Sequence, residues 1–288
     1  MFLISNNMPV RPCTHVETAA AGDAARAAEE SARSGCGLIV AVGGDGTVQE
    51  VASGIARAEG RTVLAHVPTG TTNATARALG IPSDVDDAIA SIEDGHSIEL
   101  DAGFLPDSGS FFLFMTTIGA PARMIRDAPR EKKDQLGFLA YVFGALRTMW
   151  RTRRTWMDVE VDGRHARCYA SGVIVANIGE IADLGLRITE DSDPSDGQLD
   201  IVVVRARNLW EWSRIAGSVL LRRSHAAPRV YMLRGRTVNV VSRRPTLVQA
   251  DGEIIGKTPV KVEIREAALR FLVPRKSPLA KQQTEQDG

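Results

Sequence analysis

Asp45 is the one carboxylate in the run Val42-Gly43-Gly44-Asp45-Gly46-Thr47, where three of its neighbours have no side chain. Glycine lets another backbone or a ligand approach closely. The run follows the apolar stretch 37–42 and precedes a helical pattern. Free N–H groups and the positive end of a helix then meet at one point, which suits an anion, most often phosphate. A tight strand-to-helix turn is the plainer reading of the same residues. The run is neither a Walker A sequence, since no Gly-Lys-Ser/Thr follows, nor a spaced G-x-G-x-x-G, since its glycines are too close.

A second turn of the same kind lies at 66–82, HVPTGTTNATARALGIP, where Pro68 and Gly70 lead into another helical pattern. Thr71, Thr72 and Asn73 stand where they can cap that helix or meet a ligand. Two such loops at the ends of two strands of one sheet favour a shared crevice. Two acidic turns complete the set: Asp193-Pro194-Ser195-Asp196-Gly197 and Asp251-Gly252-Glu253. Both also read as ordinary turns on local sequence alone.

The elements that must hold these residues change character along the chain. Helical patterns at 20–35, 46–60, 71–80 and 85–95 alternate with apolar runs at 37–44 and 62–70. The first of those runs reads as a buried strand, and the alternation predicts a parallel sheet covered by helices. From about residue 97 strand patterns dominate: 110–119, 157–179, 199–206, 237–242, 246–255 and 260–274. Asp162-Gly163 and Asp251-Gly252 read as hairpin turns. Helical stretches at 134–153 and 208–224 interrupt them. The expectation is an α/β protein with an N-terminal parallel-sheet nucleotide domain over 1–97. A mostly antiparallel β-sandwich domain follows over 98–274, then a disordered polar tail at 275–288.

Composition bounds the function. Thirty-five basic residues balance 35 acidic ones, so the whole chain makes no electrostatic case for nucleic acid. With 44% hydrophobic and 24% charged residues it reads as a soluble globular protein. Cys13, Cys36 and Cys168 are scattered and odd in number, which fits a reducing cytoplasm rather than a disulfide framework. No apolar stretch is long enough to cross a bilayer, and the first residues lack the pattern of a secretory signal. Charge is nevertheless uneven. Residues 121–154 carry nine Lys/Arg against three acids, and residues 205–236 carry eight Arg against one. Tryptophans 150, 156, 210 and 212 lie in or beside these stretches. Basic residues with interfacial aromatics suit peripheral contact with an anionic membrane; solvated faces with core tryptophans are the alternative. The five histidines show no ligand spacing and read as structural or surface.

The four motifs, in this order, resemble the diacylglycerol kinase/sphingosine kinase catalytic family, and within it the bacterial soluble lipid kinases. VAVGGDGTVQEVASGI is similar to that family's V-x-x-G-G-D-G-T-x-x-E-x-x-x-G, and PTGTTNATARALGIP to its P-x-G-T-x-N-x-x-A-R-x-L-G-I-P. DPSDGQLDIVVV is similar to its D-G-x-L-D segment, and QADGEIIGKTPVKVEI to its D-G-E segment.

The resemblance implies an ATP- and Mg²⁺-dependent kinase acting on a lipid hydroxyl at a membrane surface, and leaves self-association as a homodimer open. Residue by residue, it implies that Gly43, Gly44, Asp45, Gly46, Thr47, Val48 and Gln49 wrap the ATP phosphates. Thr18, Thr71 and Asn73 would also meet the nucleotide. Asp193, Asp196 and Gln198 would form a structural magnesium site, Asp196 giving its carboxylate and the flanking positions backbone oxygens. Glu253 would act as proton acceptor, with Asp251 beside it, and Asp45 would hold Mg²⁺ or brace its loop.

Two departures follow. The family's opening strand and Asn-Pro-x-x-Gly loop have no counterpart before Thr18, so the first βα unit is expected to be missing. Ala74 stands where many members have aspartate. An NAD kinase-like enzyme and a non-catalytic nucleotide- or lipid-binding relative are the other readings.

Overall fold

The computed structural model describes residues 14–127, 154–178, 180–181, 186–187, 193–220 and 229–279. The basic stretch 128–153 with Trp150, most of the C-terminal tail and Cys13 lie outside the described residues.

The first part follows the expected alternation. Helix α1 (Asp23–Arg33) buries Ala24, Ala25, Ala28 and Ala32 on one face. Strand β1 (Leu38–Gly43) leads into α2 (Asp45–Ala58), and β2 (Val63–Pro68) into the short α3 (Ala74–Ala78). Helix α4 (Val85–Asp94) is capped by Asp84, whose side chain accepts from the amides of Asp86 and Asp87. Strands β3 (His96–Leu105), β4 (Ser110–Phe112) and β5 (Met115–Gly119) follow, then α5 (Ala120–Asp127).

The second part contains β6 (Thr155–Val161), β7 (Arg164–Ala170), β8 (Gly172–Ala176) and the short pair β9 (Glu180–Ile181) and β10 (Leu186–Arg187). Strand β11 (Leu199–Val204) and α6 (Leu209–Leu220) come next. The chain then forms β12 (Val230–Gly235), β13 (Thr237–Ser242), β14 (Leu247–Ala250), β15 (Glu253–Lys257) and β16 (Val260–Val273).

Two sheets organise these elements. One runs β1-β2-β16-β13-β6-β7, with β3 paired to β16 and β4 to β3. Its parallel part is β1, β2 and the end of β16; the rest is antiparallel. The other is antiparallel, in the order β12-β11-β8-β5-β14-β15. The fold is thus mixed α/β, with parallel strands in the N-terminal sheet and an antiparallel C-terminal sheet.

The 14-residue β16 joins the two parts. Its first residues pair with β13, and its last residues pair with β2 and β3. Two cores result. One packs Val48, Ile55, Leu64, Leu79 and Phe271 between helices and sheet. The other packs Leu105, Ile118, Met157, Leu199 and Val262 between the sheets. Each fully buried aliphatic side chain in them contributes roughly 1.5–3 kcal/mol.

Three expectations need correction. β1 is not buried on both faces: it is an edge strand among the described residues, with Leu38 43% and Val42 48% exposed. The apolar run 110–119 is not one strand but two, β4 and β5, in different sheets. Trp212 is a core residue at 4% exposure, whereas Trp210 is 71% exposed. Both predicted hairpins form. Asp162-Gly163 and Asp251-Gly252 have positive φ at both positions, as a two-residue hairpin turn of this twist requires.

Candidate nucleotide and acceptor site

The parallel register sets Gly43 of β1 beside Pro68 of β2, so both strands end at one level. Each then turns into a helix. A Cβ on Gly70 would lie 2.7 Å from the Cα of Gly44, and one on Gly44 would lie 3.3 Å from the Cα of Gly70. The two turns therefore rest backbone on backbone, and only glycines allow it. Above Gly46 a Cβ would meet nothing within 4 Å, so this face of the α2 start is open. Gly44, the N-cap of α2, contributes no side-chain hydrogen bond. The first N–H groups of a helix have no intrahelical partner, and they carry its positive end. The surface formed is one an anion fits.

Asp45 has a definite place in this arrangement. Its Oδ1 accepts from the amide of Thr75 at 2.9 Å, so the carboxylate in the first turn reaches into α3 and ties the turns together. Asn73 acts on the second turn rather than on its helix. With φ of 47° it gives α3 no side-chain cap. Its side chain instead closes back on Gly70, donating to the Gly70 carbonyl at 2.8 Å and accepting from the Gly70 amide at 3.0 Å. Thr71 is exposed at the tip, Thr47 lies against Gly43, and Val48 is fully buried in the core. Gln49 is half-buried, and Thr18 is exposed in the segment before α1.

His66 lies under the first turn, 1% exposed, with Nε2 3.1 Å from the Gly43 carbonyl oxygen. Burial holds its pKa below the ordinary histidine value. Nothing local in the sequence marks it; only the pairing of His66 with Ala41 brings it to the turn.

The second part of the candidate site is built around Asp251. Its carboxylate accepts from three successive amides, Leu113 at 2.6 Å, Phe114 at 3.1 Å and Met115 at 2.8 Å. Leu113 and Phe114 are the break between β4 and β5 and Met115 begins β5, so this carboxylate binds the main chain where the 110–119 run divides. Burial pushes Asp251 up to about 6; the three amides oppose that, and the charge of Asp45 adds to it. The hairpin therefore folds back toward the glycine turns. Both oxygens of Asp251 are engaged by main chain, which gives it a bracing position. Glu253, the first residue of β15, pairs with Ala250 and is exposed.

A pH effect follows from Asp251. Its folded pKa, about 6, lies above its usual value of 3.8. An acid raised on folding holds its proton longer in the folded state, so stability falls as pH rises between those values. The contribution is at most roughly 3 kcal/mol. Asn has no such titration. The stability advantage of wild type over Asp251→Asn, measured by thermal unfolding, is expected to shrink from pH 4 to pH 7. An advantage that grows over that range contradicts the assignment.

The 193–198 loop is held by its own carboxylates and by Arg234 of β12. Asp193 Oδ1 accepts from the Ser195 amide at 2.9 Å and from its hydroxyl at 2.6 Å. Asp196 Oδ1 accepts from the Gln198 amide at 2.9 Å, and its Oδ2 pairs with Arg234 at 3.0 Å. Burial raises the Asp196 pKa, against Gln198 and Arg234. Gln198 is exposed. Asp101, which sequence reading passed over, anchors this loop: it accepts from Gly197 at 2.7 Å and from Ala267, in the β16 bulge, at 2.8 Å. Among the described residues no group of three or more His, Cys, Asp or Glu is placed to hold a metal ion.

Comparison with known proteins gives one family. Residues 7–105 match the diacylglycerol kinase catalytic domain, and residues 116–273 match a YegS C-terminal NAD kinase beta sandwich-like domain. A diacylglycerol kinase of Bacillus subtilis (strain 168) is 33% identical over 249 residues, covering 85% of this chain and 80% of the relative. A diacylglycerol kinase of Staphylococcus epidermidis is 28% identical over 255 residues, covering 88% and 79%. The crystal structure of a diacylglycerol kinase from Bacillus anthracis str. Sterne superposes with a TM-score of 0.74 at 26% identity, covering 90% of this chain and 84% of that one.

Proposed function

The chain belongs to the diacylglycerol kinase catalytic-domain family, and on that premise we propose that it is a lipid kinase that transfers the γ-phosphoryl group of ATP to a lipid hydroxyl. The observation that carries this reading is the seating of the two glycine turns against each other, Gly44 on Gly70, at the open start of α2. Phosphoryl transfer needs alignment and charge stabilisation more than covalent help. The amides at the start of α2 bind phosphate oxygens. Gly44 and Gly70 let the backbone come close, and the Asn73 and Asp45 bonds keep both turns from spreading. Magnesium bound with the nucleotide supplies neutralisation of the phosphates, and Asp45 is the carboxylate beside them. Glu253, exposed at the start of β15 and two residues from Asp251, accepts the proton of the attacking hydroxyl. Diacylglycerol and sphingoid-type lipids are the acceptors of this chemistry. Incubation with γ-labelled ATP and either a lipid panel or NAD tests the reading: label is expected in the organic phase, and label in NADP alone overturns it.

Peripheral membrane contact belongs to the same reading. Trp156 and Tyr169 stand exposed on the β6–β7 edge, ring centroids 5.4 Å apart, with Arg167 and Arg154 over them at 5.7 and 4.6 Å. Arg205 covers the exposed Tyr231 at 5.5 Å. The charges of Arg207 and Arg229 reach Arg154, so these residues share one face. Cationic and aromatic side chains together suit an anionic headgroup layer. Tyr231 is on β12, the edge of the six-stranded sheet opposite β15, and Trp156 and Tyr169 are on β6 and β7, at the end of the other sheet away from β1, so this face anchors the protein rather than lining the acceptor hairpin. Among the described residues no helix is long and apolar enough to cross a membrane. Co-sedimentation with anionic vesicles is expected to fall as salt shortens the Debye length from about 30 Å to about 10 Å. Equal binding to neutral and anionic vesicles contradicts it.

A further inference from the structure

The resemblance implies a magnesium ion held by the Asp196 carboxylate and by backbone oxygens of its neighbours, and that carboxylate is already taken. Asp196 is the loop's best-placed carboxylate, and both its oxygens are engaged. Oδ1 accepts from the Gln198 amide, and Oδ2 takes the Arg234 guanidinium at 3.0 Å. The same guanidinium reaches Asp200 Oδ1 through Nε at 2.9 Å. The Asp193 carbonyl accepts from the Asp196 amide at 3.4 Å, and the Pro194 carbonyl accepts from the amide of Asp101 at 2.7 Å. A divalent ion at Asp196 Oδ2 would sit against a fixed positive charge. Arginine holds its charge at every working pH, and its planar fork offers several donors, which here reach both Asp196 and Asp200.

We propose that Arg234 is the resident cation of the 193–198 loop, and that this chain sets the loop without magnesium. The loop needs a cation because four carboxylates crowd it: Asp101, Asp193, Asp196 and Asp200. Asp101 and Asp200 are buried, at 4% and 6% exposure. Buried like charges cost heavily unless paired. Arg234 comes from β12, which pairs with β11 so that Arg234 stands opposite Asp200. The strand register therefore delivers the guanidinium without help from the loop.

A chain of hydrogen bonds also links the loop to the Asp251 hairpin. Asp101 holds Gly197, and Asn177 Nδ2 donates to both the Asp101 carbonyl at 2.8 Å and the Leu113 carbonyl at 3.0 Å. Leu113 in turn donates to Asp251. A loop set by arginine keeps this chain of contacts in place whatever the metal concentration.

Thermal unfolding of the nucleotide-free protein tests this independently of any kinase activity. The wild-type Tm is expected to be the same in EDTA and in millimolar Mg²⁺ at matched ionic strength. Arg234→Met is expected to lower Tm by several degrees, and added Mg²⁺ is expected to restore part of the loss as the ion takes the vacated place. Adding Asp196→Asn should remove that restoration. Should Arg234→Met fail to fold, the wild-type comparison decides, together with metal analysis of the gel-filtered protein, which is expected to carry no stoichiometric magnesium. A wild-type Tm that rises with Mg²⁺ and loses the rise in Asp196→Asn overturns the proposal. So does an Arg234→Met protein with an unchanged Tm.

Discussion

Gly70→Ala is expected to lower ATP affinity by at least about 100-fold, or roughly 2.7 kcal/mol, while leaving the protein folded. The added methyl would lie 2.7 Å from the Gly44 Cα and 2.8 Å from Asn73 Oδ1. The first neighbour is main chain and cannot swing away, so the turns must part or the Asn73 lock must open. Either motion turns the amides at the start of α2 away from the anion they cradle, and a misplacement of this size is costly where geometry provides the binding. Neither Gly70 nor Gly44 belongs to the hydrophobic cores, so the fold itself should survive. Gly44→Val pushes on the same contact from the other side and should act alike. Titration calorimetry with ATP, beside a circular-dichroism melt of each variant, reads the two effects separately. Unchanged affinity in Gly70→Ala would remove the phosphate-cradle reading.

Glu253→Gln is expected to lower kcat by roughly 10²–10⁴-fold, the usual range for a general base. The KM for ATP should stay near wild type, since the phosphates are held by the glycine turns and not by the hairpin. Asp251, two residues away, should behave differently. Its carboxylate bonds to Leu113, Phe114 and Met115, so its loss should cost stability. Steady-state kinetics with the active lipid separate the two residues. Near-wild-type turnover in Glu253→Gln would return it to an ordinary hairpin position.

How much of this was legible in the sequence depends on how local each signal is. The helices at 23–33, 45–58 and 85–94 and the two hairpins were readable because caps, glycines and apolar spacing act within a few residues. The meeting of the two glycine turns was readable because two strand-to-helix turns carry the same residue types. Its bracing was not. Asp45 meets Thr75, and Asp251 meets Leu113, across gaps of 30 and 138 residues. No periodicity records such a pairing. That second contact is also why 110–119 looked like one strand: its apolar pattern is continuous, and the break is imposed by a carboxylate from the far end of the chain. The edge position of β1 was hidden for a related reason. An apolar run states what a strand can bury, but its neighbours decide what it does bury. Arg234 shows the same limit in the site. It read as one of eight arginines in a basic stretch, and only the β11–β12 register reveals it between Asp196 and Asp200.

The central claim is that one crevice, between the glycine turns and the Asp251 hairpin, holds both the phosphate donor and the acceptor. The most direct measurement is a crystal structure of the protein with magnesium and a non-hydrolysable ATP analogue. The account predicts β- and γ-phosphates within hydrogen-bond reach of the amides at Gly44–Thr47, with the γ-phosphate facing Glu253. A nucleotide bound elsewhere, or one whose γ-phosphate points away from the 251–253 hairpin, would contradict it.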